Sequence, residues 1–204
     1  MVAGAAPRVV IVPGNGCDDL VGANWYLWMA ERLRAEGHFS EVVARTMPDS
    51  HAARRKFWLP FMLGALAVDD STIVVGHSSG AVATMRFLED HPTRGAVLVS
   101  ACHTDLGDAG ERASGYYPPS GGPWKWSRIR SNAGPTGGNL LVLHSDNDPF
   151  IPRDEAEHVA SSLGVPCRIV PGRSHFFKPF EELIQAVYEV SFPDGGYEPI
   201  ASSK

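Results

Sequence analysis

Three short stretches carry residue types able to do covalent chemistry. The first is TIVVGHSSGAVATM, residues 72–85, where an apolar run breaks into Gly76-His77-Ser78-Ser79-Gly80 and resumes with helical spacing. This is G-x-S-x-G between a strand and a helix, the setting in which a sharp turn lifts a serine hydroxyl clear of a sheet as a nucleophile. Glycine at 76 and 80 removes the side chains that would collide in so tight a corner. The following helix directs its N-terminus and the Ser79 backbone N–H at a reacting carbonyl, where negative charge develops. Ser78 is the candidate nucleophile and Ser79 a backbone donor. The same pattern also suits a corner that merely packs a helix on a strand, so its partners must decide.

A serine hydroxyl attacks poorly at neutral pH unless an imidazole takes its proton and a carboxylate orients that imidazole. Both groups follow in the order serine, acid, histidine. After the apolar run 139–144 comes Ser145-Asp146-Asn147-Asp148-Pro149, with two candidate acids, and after 166–170 comes Pro171-Gly172-Arg173-Ser174-His175. His175 is the candidate base. His77 lies inside the corner, His103 and His144 are expected to line or support the site, and His38, His51, His91 and His158 fall beside helices away from the strand tips. Gly14-Asn15-Gly16, after the first apolar run, could open a dinucleotide fingerprint, but position 19 is Asp where a third glycine is required. The loop is better suited to place the Asn15 backbone N–H opposite Ser79 as the second oxyanion donor.

These corners need a sheet to hold them. Val/Ile/Leu-rich runs at 8–12, 41–45, 72–76, 95–101, 139–144 and 166–170 alternate with helix candidates near 24–37, 51–67, 80–90, 124–131, 153–163 and 178–190. That alternation predicts an α/β sandwich, about six mainly parallel strands flanked by helices. The 204 residues suit one domain, expected over 1–190, with 191–204 as a C-terminal tail and 114–123 as a surface loop. A net charge of −5 without a dense basic run gives no footprint for nucleic acid or anionic membrane. No stretch approaches the ~20 apolar residues of a membrane span. Cys17, Cys102 and Cys167 are scattered and odd in number, so no disulfide framework and no zinc site is expected, and a cytoplasmic chain, with the nucleus also open to it, is the default.

The chain also resembles a known family, the retinoblastoma-binding protein nine family of small α/β-hydrolase-fold serine hydrolases. The resemblance spans most of residues 8–190 and rests on VIVPGNG (10–16), WLPFM (58–62), IVVGHSSGA (73–81), LVSA (98–101), DLGDAGERASGY (105–116), PWKW (123–126), DNDPFIP (146–152) and SHF (174–176). It implies a single-domain α/β-hydrolase fold without a large cap domain, Ser78 as nucleophile, Asp148 as orienting acid and His175 as base, with no cofactor and no metal. The choice of Asp148 agrees with its place before Pro149, which favours an extended backbone. Asp146, two residues beyond His144, is placed to bond loop N–H groups.

The expected activity is metal-independent hydrolysis of small ester or amide substrates, short peptide-like ones included, in a carboxylesterase-like or aminopeptidase-like enzyme. The alternative is a hydrolase-fold interaction module with weak or no catalysis. Trp58, Phe61, Trp124 and Trp126 are expected to wall the substrate pocket, with 111–126 as its rim, although aromatic residues serve equally well in a core. The family takes its name from an L-x-C-x-E motif that binds the retinoblastoma protein. Here the matching stretch is Leu66-Ala67-Val68-Asp69-Asp70, without the cysteine and the glutamate, so that partner is not expected.

Overall fold

The computed structural model describes residues 6–193. Strands β1 (Arg8–Val12), β2 (Glu41–Ala44), β3 (Thr72–His77), β4 (Gly95–Val99), β5 (Leu140–Ser145) and β6 (Cys167–Val170) form one parallel sheet in the order β2-β1-β3-β4-β5-β6. All residues of β3, β4 and β5 are buried, as continuous β-branched and leucine runs must be when helices cover both faces of a sheet. Alternate residues serve two separate cores. Val10, Val74, Leu98 and Val142 pack on one face with Trp58, Met62 and Met85. Val9, Ile73, Val97 and Leu141 pack on the other with Met29, Leu33 and Val187. Truncating one of these, such as Leu33→Ala, costs about 2–5 kcal/mol.

The first face carries α2 (Arg55–Leu63), α3 (Ser79–Leu88), α5 (Trp126–Ser131) and α6 (Arg153–Leu163); the second carries α1 (Tyr26–Glu36) and α7 (Glu181–Ser191). The expected strands and helices fall on these elements within a few residues, except that α2 is shorter than 51–67. Asp49 and Ala53, with φ of 53° and 45°, turn the chain just ahead of it, and the Asp49 carboxylate accepts the Arg54 N–H at 3.1 Å. A further helix, α4 (Ala109–Ser114), lies in the stretch expected to be a rim. Its six residues are too few to show an apolar period, and it is fixed by Asp108, whose side chain accepts the Glu111 N–H at 2.9 Å.

Of the tail expected at 191–204, Ser191 still belongs to α7, and residues 194–204 lie outside the described residues. Among the described residues no helix is long and apolar enough to cross a membrane. The chain adds β2 on one side of β1 and then returns to place β3 on the other. In open parallel sheets the crevice opens at such a reversal, beyond the carboxyl ends of the strands. The ends of β1 and β3 carry Gly14 and Ser78.

Candidate active site

Ser78 joins β3 to α3 with φ 54° and ψ −121°, a conformation that costs a non-glycine residue about 1–3 kcal/mol. The neighbours hold it there. Its N–H donates to the Val99 carbonyl of β4 at 2.9 Å, and its carbonyl accepts from Ala81 and Val82 at 2.9 and 3.1 Å, which starts α3. A Cβ on Gly80 would stand 2.1 Å from the Val12 carbonyl oxygen, and one on Gly76 would stand 2.5 Å from that of Gly80. Both glycines are therefore required for α3 to begin against the end of β1.

Asp148 follows β5. Its Oδ2 accepts from His175 Nδ1 and from the Ser100 hydroxyl, each at 2.8 Å, while Oδ1 accepts the Phe150 and Ile151 N–H groups at 2.9 and 3.1 Å. Burial by itself would raise this carboxyl, but the hydrogen bond and charge of His175, the Phe150 N–H and the Ser100 hydroxyl outweigh it and hold Asp148 at about 2. The carboxylate is thus ionised, and His175 Nδ1 must carry the proton shared with it. Nε2 is left for the cleft.

His175 is 7% exposed and sits in a loop whose two flanking residues, Ser174 and Phe176, both have positive φ, 52° and 55°. Three successive N–H groups fix that loop. Gly172 donates to Asp146 Oδ1 at 2.7 Å, Arg173 to Ser145 Oγ at 2.9 Å and Ser174 to Asn147 Oδ1 at 2.8 Å. Asp146 therefore bonds loop backbone, and the strand end that carries Asp148 also clamps the segment that carries His175. Ser100, Ser145 and Asn147 are the members of this arrangement that sequence reasoning misses. Small polar residues after strands are common, and only the fold shows what they face.

Ser78, His175, Gly14, Asn15 and Ser79 border one cleft of about 570 Å³. Asn15 thus borders it from the loop after β1 and Ser79 from the first turn of α3. Glu111 and Tyr117, from the expected rim, form part of its wall, and the Tyr117 hydroxyl donates to Glu111 Oε2 at 2.9 Å. Burial raises the Glu111 carboxyl above its ordinary value.

The four aromatic residues expected to wall the pocket stand elsewhere. Trp58 is 0% exposed in the core beneath α2, with its indole N–H on the Pro48 carbonyl at 2.7 Å. Phe61 packs against the same core under Arg45, at 5.4 Å. Trp124 covers the buried Arg86 guanidinium at 3.7 Å and stacks on Trp126. Arg86 donates to the carbonyls of Tyr116 and Gly122, so this cluster ties down the rim without entering the cleft. The aromatic residues at the cleft are Tyr26, Tyr117, Phe150 and Phe177. His103 and His144 do not border the cleft. His103 Nδ1 lies 2.6 Å from Glu155 Oε2, and His144 is fully buried in β5. Leu66 and Val68 of the motif-like stretch are 0% and 3% exposed.

The chain is similar to known proteins in sequence and in fold. Residues 9–179 match the family described as serine hydrolase. The chain is 41% identical over 187 residues to serine hydrolase RBBP9 of Rattus norvegicus, covering 91% of this chain and 96% of that protein. Among solved structures, the ydeN gene product of B. subtilis superposes with a TM-score of 0.74 at 22% identity, covering 90% of this chain and 98% of that one. Est1E from Butyrivibrio proteoclasticus superposes with a TM-score of 0.63 at 15% identity, covering 94% and 89%. The parallel sheet and flanking helices are the α/β-hydrolase fold, and the chain belongs to the serine hydrolase family.

Proposed function

We propose that Ser78, His175 and Asp148 act as nucleophile, base and orienting acid in metal-independent cleavage of small ester or amide substrates. The observation that carries this reading is the 2.8 Å contact of His175 Nδ1 with Asp148 Oδ2, beside a cleft that also holds the strained Ser78. Ser78 Oγ attacks the carbonyl carbon while its proton passes to His175 Nε2. The oxyanion so formed rests against the N–H groups of Asn15 and Ser79. The bond to the leaving oxygen or nitrogen then breaks as the Nε2 proton moves to that atom. Water attacks the acyl-Ser78 ester, giving a proton to Nε2 that returns to Ser78 Oγ as the acid departs. Asp148 stays ionised throughout and stabilises the imidazolium of each step.

The test is labelling with a fluorophosphonate probe, which phosphonylates an activated serine. Ser78→Ala abolishes labelling, Ser79→Ala retains much of it, and a chelator leaves ester hydrolysis unchanged. Equal loss in both variants overturns the assignment, and unlabelled wild-type protein favours the interaction-module reading. A cytoplasmic place, nucleus included, belongs to the same proposal and draws on the three free cysteines.

A further inference from the structure

Five large hydrophobic side chains are exposed among the described residues, and two of them, Phe150 at 60% and Phe177 at 46%, border the cleft. Their rings stand 5.1 and 5.7 Å from the His175 imidazole and 6.1 Å from one another, each contact edge to face. The pair is carried by the acid and base themselves. Phe150 follows Asp148 by two residues and gives its N–H to that carboxylate, and Phe177 follows His175 by two. Apolar surface kept in water beside a reacting group marks a place where a ligand covers it.

In acyl transfer the imidazole that accepts the serine proton delivers it to the leaving atom, so the leaving group must lie against His175. In the same reading the carbonyl oxygen rests against the N–H groups of Asn15 and Ser79 and not against His175. We propose that Phe150 and Phe177 form the leaving-group subsite, and that it selects substrates whose departing alcohol or amine carries an aryl or similarly broad apolar group. This rests on the hydrolase reading above. Aromatic rings prefer centroid separations of about 4.5–7 Å in edge-to-face or offset contacts, the spacing the Phe150, His175 and Phe177 rings already keep, and a substrate ring extends that cluster.

The test compares ethyl and benzyl esters of one acid, whose leaving alcohols differ little in intrinsic reactivity, and ethyl esters of acids of increasing chain length. Rates are normalised to the sites titrated by fluorophosphonate, so that misfolded protein does not count. Wild type favours benzyl over ethyl in kcat/KM by about tenfold, and Phe150→Ala and Phe177→Ala each erase most of that preference. Phe150→Leu, which keeps apolar bulk, retains part of it. The order of preference among acyl chains does not move. A benzyl preference that survives both alanine variants, a shift in acyl preference instead, or a wild type indifferent to the leaving group overturns the proposal while Ser78 labelling still upholds the hydrolase reading. Absence of Ser78-dependent labelling overturns both.

Discussion

The Tyr26 hydroxyl lies 2.6 Å from His77 Nδ1, inside the corner between β3 and α3. The other nitrogen of the same ring, Nε2, lies 3.0 Å from the carbonyl oxygen of His175. A carbonyl only accepts, so Nε2 carries the proton and Nδ1 is the acceptor for Tyr26. The Tyr26 oxygen in turn accepts the Gly14 N–H at 3.0 Å and the Asn24 amide at 2.9 Å. One hydrogen-bonded chain therefore runs from the loop that holds Asn15, through the corner that holds Ser78, to the backbone of His175. Burial, and then the nearby His175, lowers His77 to about 3, and burial raises Tyr26 to about 12, so both stay neutral across the working range.

Tyr26→Phe removes the donor to His77 and the acceptor for Gly14 while keeping the ring. The buried Gly14 N–H and His77 Nδ1 lose a partner, which costs about 1–3 kcal/mol in a urea titration. We expect kcat per titrated site to fall about tenfold or more with KM nearly unchanged, because the oxyanion-side loop and the base lose their common tie. Loss confined to the fraction of folded protein, with normal kcat per site, would reduce Tyr26 to a packing residue.

Asp148→Asn should lower kcat by roughly four orders of magnitude with substrate binding nearly intact, since the amide no longer fixes the imidazole tautomer. Asp146 accepts the Gly172 N–H and no other hydrogen bond among the described residues, so Asp146→Asn should cost less than about tenfold in kcat, and Asp146→Ala should mainly lower stability, by about 1 kcal/mol. Steady-state kinetics and thermal melts of these variants separate the two roles. Exchange of the two behaviours would make Asp146 the acid.

Much of this is legible in the chain itself, for identifiable reasons. The strands are short β-branched runs buried on both faces, and the nucleophile corner announces itself through Gly76 and Gly80, whose hydrogen atoms are the only substituents that fit. What holds the site is less legible because it acts at a distance. Ser100 reaches Asp148 across 48 residues and Tyr26 reaches His77 across 51, and neither leaves a periodic mark. Trp124 illustrates the opposite error. Its place near a loop suggests a pocket wall, but the partner that claims it is Arg86, an arginine with a fully buried side chain. Phe150 and Phe177 stand in motifs already notable for their acid and base, and only the fold reveals their exposure.

Retinoblastoma pocket domain should show no binding in the micromolar range, about −8 kcal/mol or tighter. The stretch that would present the motif has Val68 for the cysteine, its Leu66 is fully buried, and the Asp69 carboxylate already accepts the Ser71 N–H at 3.1 Å. Calorimetric titration checks this. Submicromolar binding would show that a different surface of the chain serves that partner.

Acid should destabilise the fold in two stages. His77 titrates at about 3 in the fold against an ordinary 6.5, so between these values the unfolded chain binds a proton that the native chain refuses. Stability is then fully present above about pH 6.5 and declines as pH falls, by at most about 1.4 kcal/mol per pH unit for one proton. Asp148, at about 2 against an ordinary 3.8, adds a second loss that begins only as pH drops below about 4, because the unfolded carboxyl protonates first. His77→Asn does not titrate and still offers an acceptor to Tyr26, so urea titrations should show its slope between about pH 6 and 4.5 reduced by one proton relative to wild type. His103 and His144, both lowered chiefly by burial, keep the remaining slope in the same direction. Asp148→Asn should instead reduce the decline below about pH 4 by at most one proton, with Asp49, Asp69 and Asp105, also lowered in the fold, keeping the rest, and leave the upper stage intact. An unchanged upper slope in His77→Asn would mean that His77 is protonated in the native protein, and the hydrogen-bonded chain from Gly14 to His175 would then have to run in another sense.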